Sequence, residues 1–357
     1  MPRNSAFGIC IIFIVALLYL STGIRRQQRL RNELATEPLP SWRGGLDTPT
    51  TNLTVNLVIA SLRADDISWT RKLQIPNLNI IRYVSDSTSA VYRPPVPRKG
   101  REALIYHTYF HDFYDDLPDL SIMIHAHEDP WHMDGVLQQS MLFALSRLDL
   151  ERTRERGYAN LRANWVDGCP ERIDTSKTSD ESTIQEESYM REAFAANFGS
   201  IKLPRFFAGP CCSQFVVTRE TVHRHTRSQY KRSMDWLVET NWSDYITGRT
   251  WEHMFPWLFR GEAIDCPIEW KVYCGMYGIC FEHPDDSTRY NRLWQERRDL
   301  MEATEFLREI LNPQEGVKAR ARMKEIDAIA KAEILVALER GKVERRRSEA
   351  YESLFKP

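Results

Sequence analysis

Apolar residues first dominate at the amino end of the chain. No residue between Asn4 and Ile24 is charged, and Phe7–Leu20 (FGICIIFIVALLYL) is almost wholly apolar. About 20 such residues, each rising ~1.5 Å, cross a hydrocarbon core ~30 Å thick. Residues 1–24 are therefore predicted to form a short stub and a transmembrane helix. A cleaved signal peptide is the alternative, because Ser21 and Gly23 supply small residues for processing. Residues 25–54 are polar and broken by Pro38, Pro40, Gly44, Gly45 and Pro49, the composition of a flexible stem.

The pattern changes at Val55. Val55–Ser61 (VNLVIAS) and Leu78–Val84 (LNIIRYV) are short apolar runs of the kind that form buried strands. From Gly100 to Tyr114, Ala103, Ile105, Tyr106, Tyr109, Phe110 and Phe113 recur at three- and four-residue steps, predicting a helix that Asp115-Asp-Leu-Pro118 ends. Leu120–Ile124 reads as a third strand and Val136–Leu150 as a second helix. Further on, Gln214–Val217 reads as a strand, Thr218 as the N-cap of a long helix towards Thr240, and Thr250–Phe259 as a short helix. Strand, strand, helix, strand, helix predicts an α/β domain over residues 55–285, with a mixed, mostly parallel sheet flanked by helices. Residues 170–190, rich in Ser, Thr and Glu, are predicted to be an exposed insertion. Residues 286–357 are charged and helical in pattern, with Met323, Ile326, Ala330, Ile334 and Leu338 on one stripe, and predict a C-terminal helical tail outside the sheet.

A formal net charge of −1 argues against nucleic acid as the main partner. Ten Trp and fourteen Tyr suit a large core first and sugar-stacking surfaces second. The charges flanking the apolar segment, Arg3 before it and Arg25, Arg26, Arg29 and Arg31 after it, favour a cytosolic domain. Against that stand the sequons Asn52-Leu-Thr54 and Asn241-Trp-Ser243, and six cysteines beyond Cys10. These are Cys169, Cys211, Cys212, Cys266, Cys274 and Cys280, enough for three bridges and without zinc-site spacing.

Candidate chemistry concentrates in Ser121–His132. His125, His127, Glu128, Asp129 and His132 leave the end of a predicted strand within eight residues, where open α/β sheets bind ligands. Imidazole paired with carboxylate, as in His125, His127 and Asp129, suits Mn, Zn or another borderline divalent ion, and the same groups could position a diphosphate without metal. The alternative is a turn whose histidines satisfy buried carbonyls. Lys99 and Arg101 flank a glycine at a helix start, a weak anion-binding signal. The basic run Arg219–Arg232 is more simply a solvated helix face. Glu252 sits among aromatics, where burial would lift its pKa towards general-base use; a helix-terminal glutamate is the plain alternative. No GxSxG, Walker, HExxH or GxGxxG motif occurs.

Lys99-Gly-Arg-Glu-Ala103, Leu117-Pro-Asp119, Ile124-His-Ala-His127, Trp131-His132, Cys211–Glu220 (CCSQFVVTRE), Trp251-Glu252 and Trp257-Leu-Phe259 together resemble a fungal family of membrane-anchored proteins, domain of unknown function 3431. The resemblance runs from roughly Val55 to Phe281, with Arg98 where the family often has asparagine. The second half is more distantly similar to glycosyltransferases of the GT-A type, in which an acidic residue matched by Glu252 faces the acceptor. His125-Ala-His127 stands where those enzymes carry Asp-x-Asp. The resemblance implies a single-pass type II protein of the Golgi or endoplasmic reticulum that takes a nucleotide sugar and a glycan acceptor. On that reading Glu252 is catalytic, Lys99, Arg101, Glu102, Trp131 and His132 bind substrate, and His125, His127 and Asp129 hold a metal, with Mn or Mg expected for a transferase. A non-catalytic lumenal scaffold on the same fold, and a metal-dependent hydrolase, are the alternatives.

Overall fold

The computed structural model describes residues 51–130, 132–177, 181–199, 201–304 and 313–356. The expected membrane anchor, and the stem up to residue 50, lie outside them, as does Trp131. Among the described residues no helix is long and apolar enough to cross a membrane.

Five strands make the central sheet: β1 (Val55–Ser61), β2 (Leu78–Val84), β3 (Leu120–His125), β4 (Tyr158–Asn160) and β7 (Phe215–Thr218). Their order is β2-β1-β3-β7-β4. β1 pairs in parallel with β2 and with β3, while β7 is antiparallel to both β3 and β4. Four of the five strands therefore point the same way, as the sequence predicts. β5 (Ile173–Asp174) and β6 (Phe206–Phe207) form a separate two-stranded ladder.

Burial on both faces explains why β1 and β3 read as unbroken apolar runs and not as alternating ones. Helix α1 (Arg101–Asp112) covers one face, and every residue from Ala103 to Phe110 is buried. It packs against α6 (Arg227–Glu239) and α7 (Asp244–Arg260). Tyr106, Tyr158, Phe215, Trp251, Phe255 and Phe259 interlock there as an aromatic core. Most of the chain's aromatic supply is thus spent on packing.

Three helix predictions need correction. Val136–Leu150 is not one helix: residues 132–140 form turns, α2 (Met141–Arg147) starts only after the Ser140 cap, and α3 (Leu150–Arg156) follows the Asp149 cap. Both caps accept a backbone N–H three residues on, which closes each helix start. Thr218 does cap a helix, but that helix, α5, ends after Arg219–Val222. Tyr114 binds His225 O and Tyr114 O binds the His223 ring, so tertiary bonds hold the turn open before α6. The helix expected over Thr250–Phe259 begins a full turn and more earlier, at Asp244 after the Ser243 cap.

Among the described residues the chain divides into two units, 51–287 with 337–356, and 288–336. In the first, α4 (Met190–Phe198) and α8 (Glu269–Tyr277) complete the helical layers, and α11 (Glu344–Glu352) packs on α8. Arg347 reaches Asp149 at 2.6 Å and Arg152 reaches Glu344 at 2.5 Å, so this end of the predicted tail is part of the main unit. The second holds most of α9 (Pro284–Ala303) and of α10 (Pro313–Gly341), joined by Arg297–Asp327 and Arg322–Glu296 pairs, both 2.6 Å. Met323, Ile326, Ala330, Ile334 and Leu338 are all buried, as their stripe predicts. The six cysteines pair as Cys169–Cys266, Cys211–Cys212 and Cys274–Cys280.

Candidate functional site

From β1 the sheet grows to β2 on one side and β3 on the other, which makes the carboxyl ends of β1 and β3 the topological switch point. Ala60 lies beside His125 there, one residue from the end of β1. Helix α1 runs back between β2 and β3, so its amino end, with Lys99, Arg101 and Glu102, returns to the same edge. Helix α7 starts beside it: Gly100 N donates to Asp244 Oδ1 at 3.0 Å, and Lys99 Nζ donates to Thr240 O at 3.0 Å. Lys99 thus ties the start of α1 to the end of α6, and its ammonium lies 3.8 Å from Asp244 Oδ1 at the start of α7.

Arg101 adopts a left-handed backbone, φ 48°, directly after the left-handed Gly100. For an L side chain that conformation costs about 1–2 kcal/mol, and such strain gathers at functional positions. The Arg101 side chain crosses Gly248 of α7, where an added Cβ would stand 3.0 Å from Arg101 Cδ. Its guanidinium lies 5.1 Å from the centre of the Tyr245 ring, and Arg249 lies over the same ring at 5.4 Å. Tyr245, Arg249 and Glu252 recur at four- and three-residue steps and share one face of α7.

Glu252 is half-buried. Burial holds its carboxyl well above the usual carboxylate range, and the neighbouring Glu102 adds to the rise; Arg249 and Arg101 oppose it. A buried carboxyl beside a second acidic group is disfavoured as the anion, so Glu252 holds its proton to higher pH than an exposed glutamate does. Glu102 also faces the neighbouring strand end: its Oε1 lies 3.8 Å from His125 Nε2, which has no hydrogen-bond partner. Burial keeps the His125 imidazole below its ordinary pKa, with Glu102 working in the other direction, so the ring is neutral at pH 7.

Two residues support this set from behind. Glu186 is buried and accepts from Arg249 Nε at 2.8 Å and His253 Nε2 at 3.2 Å. Burial works against its charge, but the His253 contact and Arg249 outweigh that and hold its carboxyl at about 2. His253 is itself kept neutral by burial and donates as an uncharged ring. Gln214 joins the two histidines, with Oε1 accepting His125 N at 3.4 Å and Nε2 donating to His132 Nε2 at 2.9 Å. His132, buried and 5.0 Å ring-to-ring from His125, is pushed down to about 3 by burial, then by His125 and Arg162.

Glu252, Glu102, Arg101 and His125 therefore converge, with His132 behind His125. His127 and Asp129 are exposed, and among the described residues no group of three His, Cys, Asp or Glu side chains is placed to hold a metal ion. Gln214, Arg249, Glu186 and His253 escaped the sequence reading. Arg249 stands one turn before Glu252 on a helix, which is a usable signal, whereas Glu186 sits in the polar stretch read as an exposed insertion. Glu186 and Glu187 are in fact buried.

Neither the curated proteins nor the solved structures include a match to this chain. The family model described as protein of unknown function DUF3431 matches residues 57–275, more than half of the chain and all of the site just described, and the protein belongs to that family.

Proposed function

We propose that this domain transfers a sugar from a nucleotide donor to a hydroxyl of a glycan or glycoconjugate, with Glu252 as the acid–base group. The observation that carries the reading is the Glu252 carboxyl, lifted by burial and by Glu102 at the switch-point edge of the sheet. A carboxyl raised in this way is poised to exchange a proton near neutral pH. In the reaction Glu252 takes the acceptor hydroxyl proton, the acceptor oxygen bonds to the anomeric carbon, and the bond from that carbon to the donor phosphate breaks. Arg101 and Lys99, at the start of α1, offset the charge released on the diphosphate. The unpartnered Nε2 of the neutral His125 orients the sugar. Three disulfides suit an oxidising compartment, and the apolar Phe7–Leu20 segment supplies a lumenal type II anchor in the Golgi or endoplasmic reticulum.

The test is a thermal-shift screen of the full chain in detergent against nucleotide sugars and nucleoside diphosphates, with and without Mn. Ligand at ~100 times its dissociation constant adds about 2.7 kcal/mol, a shift of a few degrees. The expected result is a shift with one donor class that disappears in His125→Ala and persists in Glu252→Gln, with turnover lost in Glu252→Gln. No shift with any donor, from folded protein, would replace the transferase by the non-catalytic scaffold.

A further inference from the structure

Cys211 and Cys212 are adjacent in sequence and bonded to each other, in the turn that leads into β7. Cys212 has φ 74°, and both residues are half-buried, within reach of a small molecule. Arg162 is aimed at this bond, its Nη1 standing 2.5 Å from Cys211 Sγ and 3.7 Å from Cys212 Sγ. The guanidinium is fixed from the other side by Asp134, whose Oδ1 accepts Arg162 Nε at 3.0 Å. Asp134 is buried and also accepts from Ala163 N, Asn164 N and the Tyr273 hydroxyl, at 2.7, 3.1 and 2.9 Å. Asn160 Nδ2 pins the turn by donating to Pro210 O at 2.7 Å. A fixed cation beside a sulfur favours the thiolate, which makes that sulfur the better leaving group in thiol–disulfide exchange. Among the described residues neither of the other two disulfides has a guanidinium at its sulfurs: Cys266 Sγ lies against Pro170 O and Cys274 Sγ against the backbone carbonyl of Arg346. Gln214, two residues beyond Cys212, holds both His125 and His132.

We infer that Cys211–Cys212 is a redox-active site that exchanges with a dithiol, and that its reduction releases Gln214 and so resets His132 and His125. The control of ligand binding rests on the transferase reading; the exchange itself does not. A thiolate of the dithiol attacks Cys212 Sγ, the Cys211–Cys212 bond breaks, and Cys211 leaves as the thiolate beside Arg162. The second thiol of the reductant then displaces Cys212. Two electrons and two protons pass to the protein, and the dithiol ends as a disulfide.

The full chain is titrated with dithiothreitol, alkylated, and mapped by peptide mass, while the histidine-ring NMR signals are followed. Expected is labelling of Cys211 and Cys212 while Cys169, Cys266, Cys274 and Cys280 stay bonded and the protein stays folded. Arg162→Lys and Arg162→Gln should slow that step, the latter by about tenfold. The His132 ring signal should move on reduction. Labelling of the pair only together with Cys169 and Cys266, or only on unfolding, overturns the redox site. An unmoved His132 signal in the reduced protein overturns the link to the histidines. A reduced protein that labels as expected in a chain that binds no donor would refute the transferase reading alone.

Discussion

His107 is fully buried on α1, with its ring 4.0 Å from that of Trp251 and neither ring nitrogen hydrogen-bonded. Burial lowers its pKa from 6.5 to about 3, so the unfolded chain binds a proton over that interval and the native state does not. Stability is then full above pH 6.5 and falls as the pH drops towards 3. His107→Leu should raise stability at pH 7 by about 1 kcal/mol and flatten the acid limb, read by denaturant titration at pH 7 and 4.5. Glu186→Ala should act in the opposite direction. It strands Arg249 and His253 beside the site and is expected to cost about 3 kcal/mol, with a lower denaturation midpoint at unchanged slope. Neither effect was legible beforehand. His107 sits in an apolar helical pattern that says nothing of its partners, and Glu186 is flanked by residues that composition assigns to solvent.

At the scale of elements, α7 decides how the site is held. Gly248 lies in the middle of it, where glycine is about 1 kcal/mol worse than alanine, yet a Cβ there presses on Arg101. Gly248→Ala is expected to leave stability equal or up to about 1 kcal/mol higher while weakening donor binding. Calorimetric unfolding together with a donor titration separates the two; a loss of both would mean that Gly248 serves packing alone. Strands β1, β2 and β3 and helix α1 were readable because apolar runs and three-to-four spacing report burial directly. The division of α5 from α6 and the turns after His132 were not, because they depend on bonds that reach far along the chain, from Tyr114 to His223 and His225 and from Asp134 to Ala163 and Asn164. The same limit governed the site. His125 and Glu252 stood out as residue types in a context, but Glu102 as their shared neighbour emerged only once α1 and α7 were placed side by side.

Across the whole molecule, the Cys169–Cys266 bond closes a loop of 97 residues that contains β5, β6, β7 and both helices α6 and α7. Chain entropy alone puts the effect of such a closure at about 4.7 kcal/mol. The double variant Cys169→Ser, Cys266→Ser should lose roughly that much, measured by equilibrium unfolding without reductant; a loss well under 1 kcal/mol would show that the sheet holds this loop unaided.

The claim on which the functional account turns is that Glu252 keeps its proton far above pH 4.5 in the folded protein. A raised native pKa means that the folded chain binds more protons than the unfolded one, so stability is lost as the pH rises from the unfolded value to the native one. The most direct measurement is the unfolding free energy of the wild type and of Glu252→Gln from pH 4.5 to 9. The account requires the two to run together at the acid end and Glu252→Gln to become the more stable protein as the pH rises. Parallel curves over the whole range would mean that Glu252 is an ordinary ionised carboxylate, and would remove it as the acid–base group.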